Sequence, residues 1–215
     1  MINRTGWSVT GALAAAFTIA IASAGATAEF TADVVHTTKG RVMTTRVYVK
    51  GAKARQEIDA PGGAHATILR PDKGRMWMIT PRTKSYMETK ADRKSLTGED
   101  MEQQLHQVAT SKFAGKQTIS GYVCNKYVYT FKDKSKGTMT EWFAPKLGFR
   151  LPIKIRMAEP TGQSMTIEYR NIRRKKLPDS LFELPAGYRK TAMPKAPKMP
   201  KPHAGIKGGK PLPRR

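Results

Sequence analysis

Apolar and polar positions alternate along most of residues 29–190, the period-two pattern of strands half-buried in a sheet. FTADVVHTTKGRVMTTRVYVKGAKARQEI reads as two or three strands, with turn marks at Lys39-Gly40 and Lys50-Gly51. HATILRP and RMWMITP flank Asp72-Lys73-Gly74, a hairpin signal with Pro71 ahead of it, and KSYMET follows as a third strand. Residues 65–89 are therefore expected to form an antiparallel meander. Further on, GYVCNKYVYTF, TMTEWFA, LPIKIRMA and SMTIEYRNI read as strands separated by Gly and Pro turns. RMWMITP stands out: in a strand Met76 and Met78 point to one face, Trp77 and Ile79 to the other, so both faces are apolar. The alternation leaves open which of them looks inward.

One helical pattern interrupts the strands, from about Gly98 to Ser111. Thr97 is placed to cap it, Leu96 and Met101 to staple it, and Met101, Leu105 and Val108 share a face. A second, short helix is expected near Asp179 to Phe182. A sheet of this many strands with so few helices has to curl to cover its apolar face. The expected fold class is mainly β (α+β): a strongly curved antiparallel sheet forming an incomplete barrel, with one or two helices covering an apolar cavity.

Both ends of the 215-residue chain depart from the strand pattern. Arg4, the apolar run ALAAAFTIAIASA and the small-x-small Ala26-Thr27-Ala28 read as a secretory signal peptide over residues 1–28, cleaved after Ala28. The alternative, a retained membrane anchor, is disfavoured because the run is shorter than the roughly 20 residues a span needs. A lipoprotein signal would need a cysteine after that run, and the one cysteine is Cys124, which rules out an internal disulfide and whose strand position makes it a small buried hydrophobe. From residue 191 to 215 the chain is rich in Pro, Lys and Gly and free of acids, a composition that reads as a disordered basic tail. The domain between spans 29–190.

The formal charge is +23, to which residues 1–28 contribute only Arg4. Such a field favours anionic partners. In an exported protein these are anionic lipid or an envelope polymer, with no nucleic acid expected. The tail cations Lys195, Lys198, Lys201, Lys207, Lys210, Arg214 and Arg215 are the candidate anionic-surface residues.

Catalytic patterns are missing. None of His36, His65, His106 and His203 has a second ligand at metal spacing, and there is no GxSxG elbow, Walker loop or dinucleotide fingerprint. Expected, then, are no catalytic residues, no cofactor, no metal and no enzyme. The strands are instead rich in methionine and aromatic residues. Core filling accounts for any one of them; as a set they suit an adaptable apolar surface, because Met repacks around irregular partners at low cost. The candidate cavity residues are Met76, Trp77, Met78, Tyr86, Met87, Trp142 and Phe143.

VYVKGAKARQE, ILRPDKGRMWMITPRTKSYME, ISGYVCNKYVYTF, WFAPKLGFRLPIKI and IEYRNIRRKKLPDSLFELPAGYRK together resemble the periplasmic LolA/LolB/RseB-type domains, including lipoprotein-sorting-like relatives. The resemblance covers most of residues 30–190, and its most specific pieces are RPDKGRMWMITP and PDSLFELPAGY. It implies an incomplete barrel with lid helices over an apolar cavity that shelters lipid chains. The single clear lid helix and the added basic tail depart from the family. The function expected is a periplasmic, non-enzymatic carrier for a lipid or acylated protein, in outer-membrane lipoprotein sorting or envelope lipid transport. The alternative is an electrostatic adaptor or envelope-stress sensor that binds an anionic membrane, an envelope polymer or a protein partner through its basic surface and tail.

Overall fold

The computed structural model describes residues 28–60, 63–91, 98–148 and 151–192, the side chains of 98–102 excepted. The signal-peptide reading (but for Ala28), the tail cations, the Thr97 cap and the Leu96–Met101 staple lie outside these residues.

The alternating stretches become twelve strands. The first six are β1 (Glu29–Thr38), β2 (Arg41–Lys50), β3 (Lys53–Ala60), β4 (Gly63–Arg70), β5 (Arg75–Thr80) and β6 (Ser85–Lys90). Helix α1 (Gly98–Val108) leads into β7 (Ala109–Ile119), β8 (Tyr122–Phe131), β9 (Thr138–Phe143), β10 (Pro152–Ala158), β11 (Ser164–Arg174) and the two-residue β12 (Arg189–Lys190). All twelve form one sheet in the order β12-β6-β5-β4-β3-β2-β1-β11-β10-β9-β8-β7, which is mostly β and does not close. It consists of two antiparallel meanders, β1–β6 and β7–β11, joined where β1 pairs antiparallel with β11. β12 adds to β6 in parallel.

Turn chemistry sets the registers. Between β4 and β5, Pro71–Lys73 make one 3-10 turn ended by Gly74 in the left-handed region, so Arg70 sits opposite Arg75 and Leu69 opposite Met76. Helix α1 stops three residues short of the expected Ser111, because Ala109 already pairs with Phe131 of β8. The expected short helix is a 3-10 turn at Asp179–Phe182.

Alternation divides the sheet into two faces. On one lie Phe30, Val34, Val47, Val49, Leu69 and Tyr169, all buried in the larger core cluster, with Met76 and Met165 packed against it. The opposite face of β2–β6 is covered by the segment after β11. Leu177 and Phe182 are buried there with Ile68, Trp77 and Ile79, and Tyr48, Tyr86, Leu181, Leu184 and Tyr188 pack around them. Residues 177–190 thus form a strap across the back of the first meander. Cys124 is fully buried, and burial raises its thiol pKa.

Candidate functional site

The two apolar sides of RMWMITP have different fates. Trp77 is 5% exposed and sealed beneath the strap, its indole Nε1 donating to Glu88 at 2.9 Å. Met76 and Met78 point to the other side. There Met78 stands opposite Met87, and Met76 opposite Leu69 and Thr89, and all three methionines are only half-buried.

This methionine face continues across the seam. In the second meander Met165, Met157, Met139 and Tyr129 stand opposite one another on successive strands β11, β10, β9 and β8. One row over, Phe113, Tyr127 and Phe143 form an edge-to-face chain with ring centroids 5.6 and 6.0 Å apart. Phe113 is 51% exposed and Met157 37%, and the exposed Val123 lies on the same side of β8. The helix reaches this face too: the His106 ring lies 6.5 Å from that of Tyr129.

Polar side chains also stand on this side, among them Thr67, Ser111 and Asn125. Gln56 donates to Thr45 Oγ1 at 2.7 Å, which settles that buried pair. His36 Nε2 and Thr89 Oγ1 are buried without a hydrogen-bond partner among the described residues. Desolvation lowers the His36 pKa, so the ring is neutral at pH 7. Glu141 is the one acid that the described strands place on this side.

The structure therefore divides the seven candidate cavity residues. Met76, Met78, Met87 and Phe143 share the methionine face. Trp77 and Tyr86 lie under the strap. Trp142 also points away, buried with its Nε1 donating to Gln117 at 2.9 Å and with Lys126 and Lys154 each 5.7 Å from its ring. Sequence reasoning had no route to Phe113 as a neighbour of Tyr127, since that pairing depends on β7, a strand with no apolar alternation.

The strap is fastened by charge. Arg70, 4% exposed, donates to Asp72, to the Phe182 carbonyl at 3.1 Å and to Glu183. The Asp72 carboxyl is held below its ordinary range chiefly by the hydrogen bond from Arg70, and that of Glu183 by Lys73 and then Arg70. Lys190 and Arg75 converge on Glu88, and the Arg189 and Thr191 amides donate to the Lys84 and Tyr86 carbonyls. A cleft of about 790 Å³ opens beside this network, lined by Pro71, Asp72, Gly74, Arg75, Glu88, Thr89, Lys90 and Ala91. With four charged side chains on its wall it suits a small polar molecule better than a hydrocarbon chain.

The sheet is open and mostly β, and the resemblance to LolA/LolB/RseB-type domains read from the sequence is borne out as fold. The chain itself belongs to the DUF4412 family, a domain of unknown function, whose model matches residues 33–150 and 132–188. No curated protein matches it in sequence. Among solved structures it is similar to an uncharacterized conserved protein from Thermus thermophilus, with 14% identity, TM-score 0.55, and coverage of 78% of this chain and 91% of that one. It is similar also to MucB, with 16% identity and TM-score 0.55 over 78% of this chain and 61% of that one. Pseudomonas aeruginosa MucB in complex with MucA matches at 15% identity and TM-score 0.53, over 75% and 58%. The chain thus spans about three fifths of the length of MucB.

Proposed function

We propose that this protein is an exported, non-enzymatic binder of an apolar chain (a lipid, the acyl chains of a lipoprotein, or a similar amphiphile), which lies along the methionine face. One observation carries the reading. Strands β4–β6 bury Ile68, Trp77 and Ile79 beneath the strap while Met76, Met78 and Met87 on their other side stay only half-buried, and on that side of the second meander Met157 and Phe113 are exposed. Methionine suits a partner whose shape varies, and each methylene removed from water contributes about 0.8 kcal/mol. In this reading α1, whose C-terminal turn meets Tyr129, closes over the bound chain. Residues 1–28 are the export signal cleaved after Ala28, residues 29–190 are the binding domain of a periplasmic protein, and residues 191–215 are a basic tail that holds it near anionic head groups.

The test is native mass spectrometry of protein purified gently from its own compartment, followed by organic extraction. Co-purifying phospholipid or acylated species in defined stoichiometry are expected. The pair Met78→Asp/Met87→Asp abolishes that uptake, whereas Trp77→Leu/Tyr86→Leu lowers stability and leaves uptake in place. A clean apo mass, with no uptake when lipid is offered, overturns the reading.

The MucA complex favours a second reading, in which the bound group belongs to a protein partner. A pull-down that recovers one stoichiometric protein, retained after delipidation and lost in the Met78/Met87 variant, selects it.

A further inference from the structure

The back of the sheet is covered over only part of its width. Over β2–β6 the strap lies on it, and the cations there meet carboxylates: Lys53 with Asp179 at 3.0 Å, Arg55 with Glu57 at 2.8 Å, Lys190 with Glu88 at 2.7 Å, and Arg70 with Asp72 and Glu183. Over β7–β11 one end of the back is closed, with Ile119, Cys124 and Trp142 buried in a cluster that includes Ala144, Leu147 and Leu151. Further along, Lys112 and Arg156 stay exposed, and there the balance fails. Register and alternation set Lys112, Val128, Thr140, Arg156 and Thr166 in one row across five strands, with Lys126, Trp142, Lys154 and Glu168 in the next. Glu168 is the acid of these two rows, and it is taken by Lys154 at 3.0 Å and Arg170 at 2.8 Å. Lys112, Lys126 and Arg156 have no carboxylate partner among the described residues. Lys112 and Arg156, three strands apart, are separated by about 14 Å at the usual strand spacing.

The side chains between these cations are mainly hydroxyls. Thr140 and Thr166 lie in the first row, and Thr130 and Thr138 stand opposite each other in the row beyond. None of the large hydrophobic side chains exposed among the described residues lies on this part of the back, and Trp142 is buried between its lysines. A bilayer-docking surface would present interfacial aromatic or aliphatic groups beside its cations. Unpaired cations interleaved with threonine hydroxyls match a polymer that itself alternates anions with hydroxyls.

We infer that the open part of this back, around Lys112, Lys126 and Arg156, binds an anionic polysaccharide, with these cations on its carboxylate, phosphate or sulfate groups and the threonines on its hydroxyls. This site is on the opposite side of the sheet from the methionine face and does not rest on the apolar-chain reading.

The experiment titrates the full chain with polygalacturonate, neutral dextran, oligo-dT and phosphatidylglycerol vesicles at about 0.1 M salt. Polygalacturonate is expected to bind and dextran not to. Lys112→Glu/Arg156→Glu weakens that binding at least about tenfold, while the charge-matched tail pair Lys198→Glu/Lys207→Glu weakens it less than about threefold. Equal losses from both pairs overturn the inference, as does binding of oligo-dT or vesicles that is as tight and equally sensitive to the face pair. If the Glu variant melts early, Lys112→Gln/Arg156→Gln replaces it. Protection of Lys112 and Lys126 from acetylation by bound polygalacturonate is expected in the unaltered chain, and its absence also counts as refutation.

Discussion

Single side chains decide how firmly the back of the first meander is sealed. Phe182 is fully buried against Ile68 and Trp77, so Phe182→Ala should destabilise by about 3–5 kcal/mol, read from urea unfolding. Arg70 works differently. Its guanidinium joins the β4–β5 turn to the strap through two carboxylates and a carbonyl. The acids are partly exposed and regain water when it is lost, so Arg70→Met should cost less, about 1–3 kcal/mol. Trp77 fluorescence in residues 29–215 carrying Trp142→Phe, which leaves Trp77 as the one tryptophan, should shift to the red at lower urea than the global transition, because the strap loosens first. Coincident transitions would show that strap and sheet unfold together. At Gly137, which has φ 69°, a Cβ would come within 2.0 Å of the Ala158 carbonyl oxygen. Gly137→Ala should therefore destabilise by about 1–3 kcal/mol, whereas Gly40→Ala, with open space around it, is limited to the strain of its own φ.

At the scale of elements, the strap is sensitive to acid. The Asp72 and Glu183 carboxyls titrate below their ordinary values in the folded chain. A depressed folded pKa stabilises fully above the unfolded value and is lost as pH falls through the folded one. The strap should hold unchanged from neutral pH to about pH 5 and loosen below about pH 4, which the Trp77 emission would report. A transition near neutral pH would point to another group. The elements that were legible in the sequence are those whose two sides differ in polarity or whose turns carry Gly and Pro: the Pro71–Gly74 hairpin, the flanking meander and the turn at Asp179. Strand β7 was not legible, because its residues from Thr110 to Thr118 are almost all exposed and an edge strand with both sides wet has no alternation to read. Strand β12 escaped as well, being two residues whose pairing depends on where the strap lies. The candidate site was half legible for the same reason: alternation showed that Met78 and Trp77 part company, while only the strap decides which of them is covered.

For the whole molecule, the two faces predict separable behaviour toward salt. Binding to polyanions should weaken steeply as salt rises, since exposed charges are screened beyond about 8–10 Å at ordinary ionic strength. Uptake of an apolar chain should hold or strengthen over the same range. Measuring both on one preparation tests whether they reside on different surfaces; parallel loss would mean they share one. The seam between the meanders has a consequence of another kind. Each meander is built from neighbouring strands and can assemble as soon as its own turns exist, yet β1 is completed only by β11, so Phe30 must wait for Arg174. Until the last long strand has been made, the first half of the chain exposes an unpaired edge and the apolar row beneath it, and pairings this distant in sequence are slow to form. The nascent chain is thus kept from finishing its fold until nearly all of it has been synthesised, which leaves it open for that whole time to chaperones and to any machinery that handles unfolded chains.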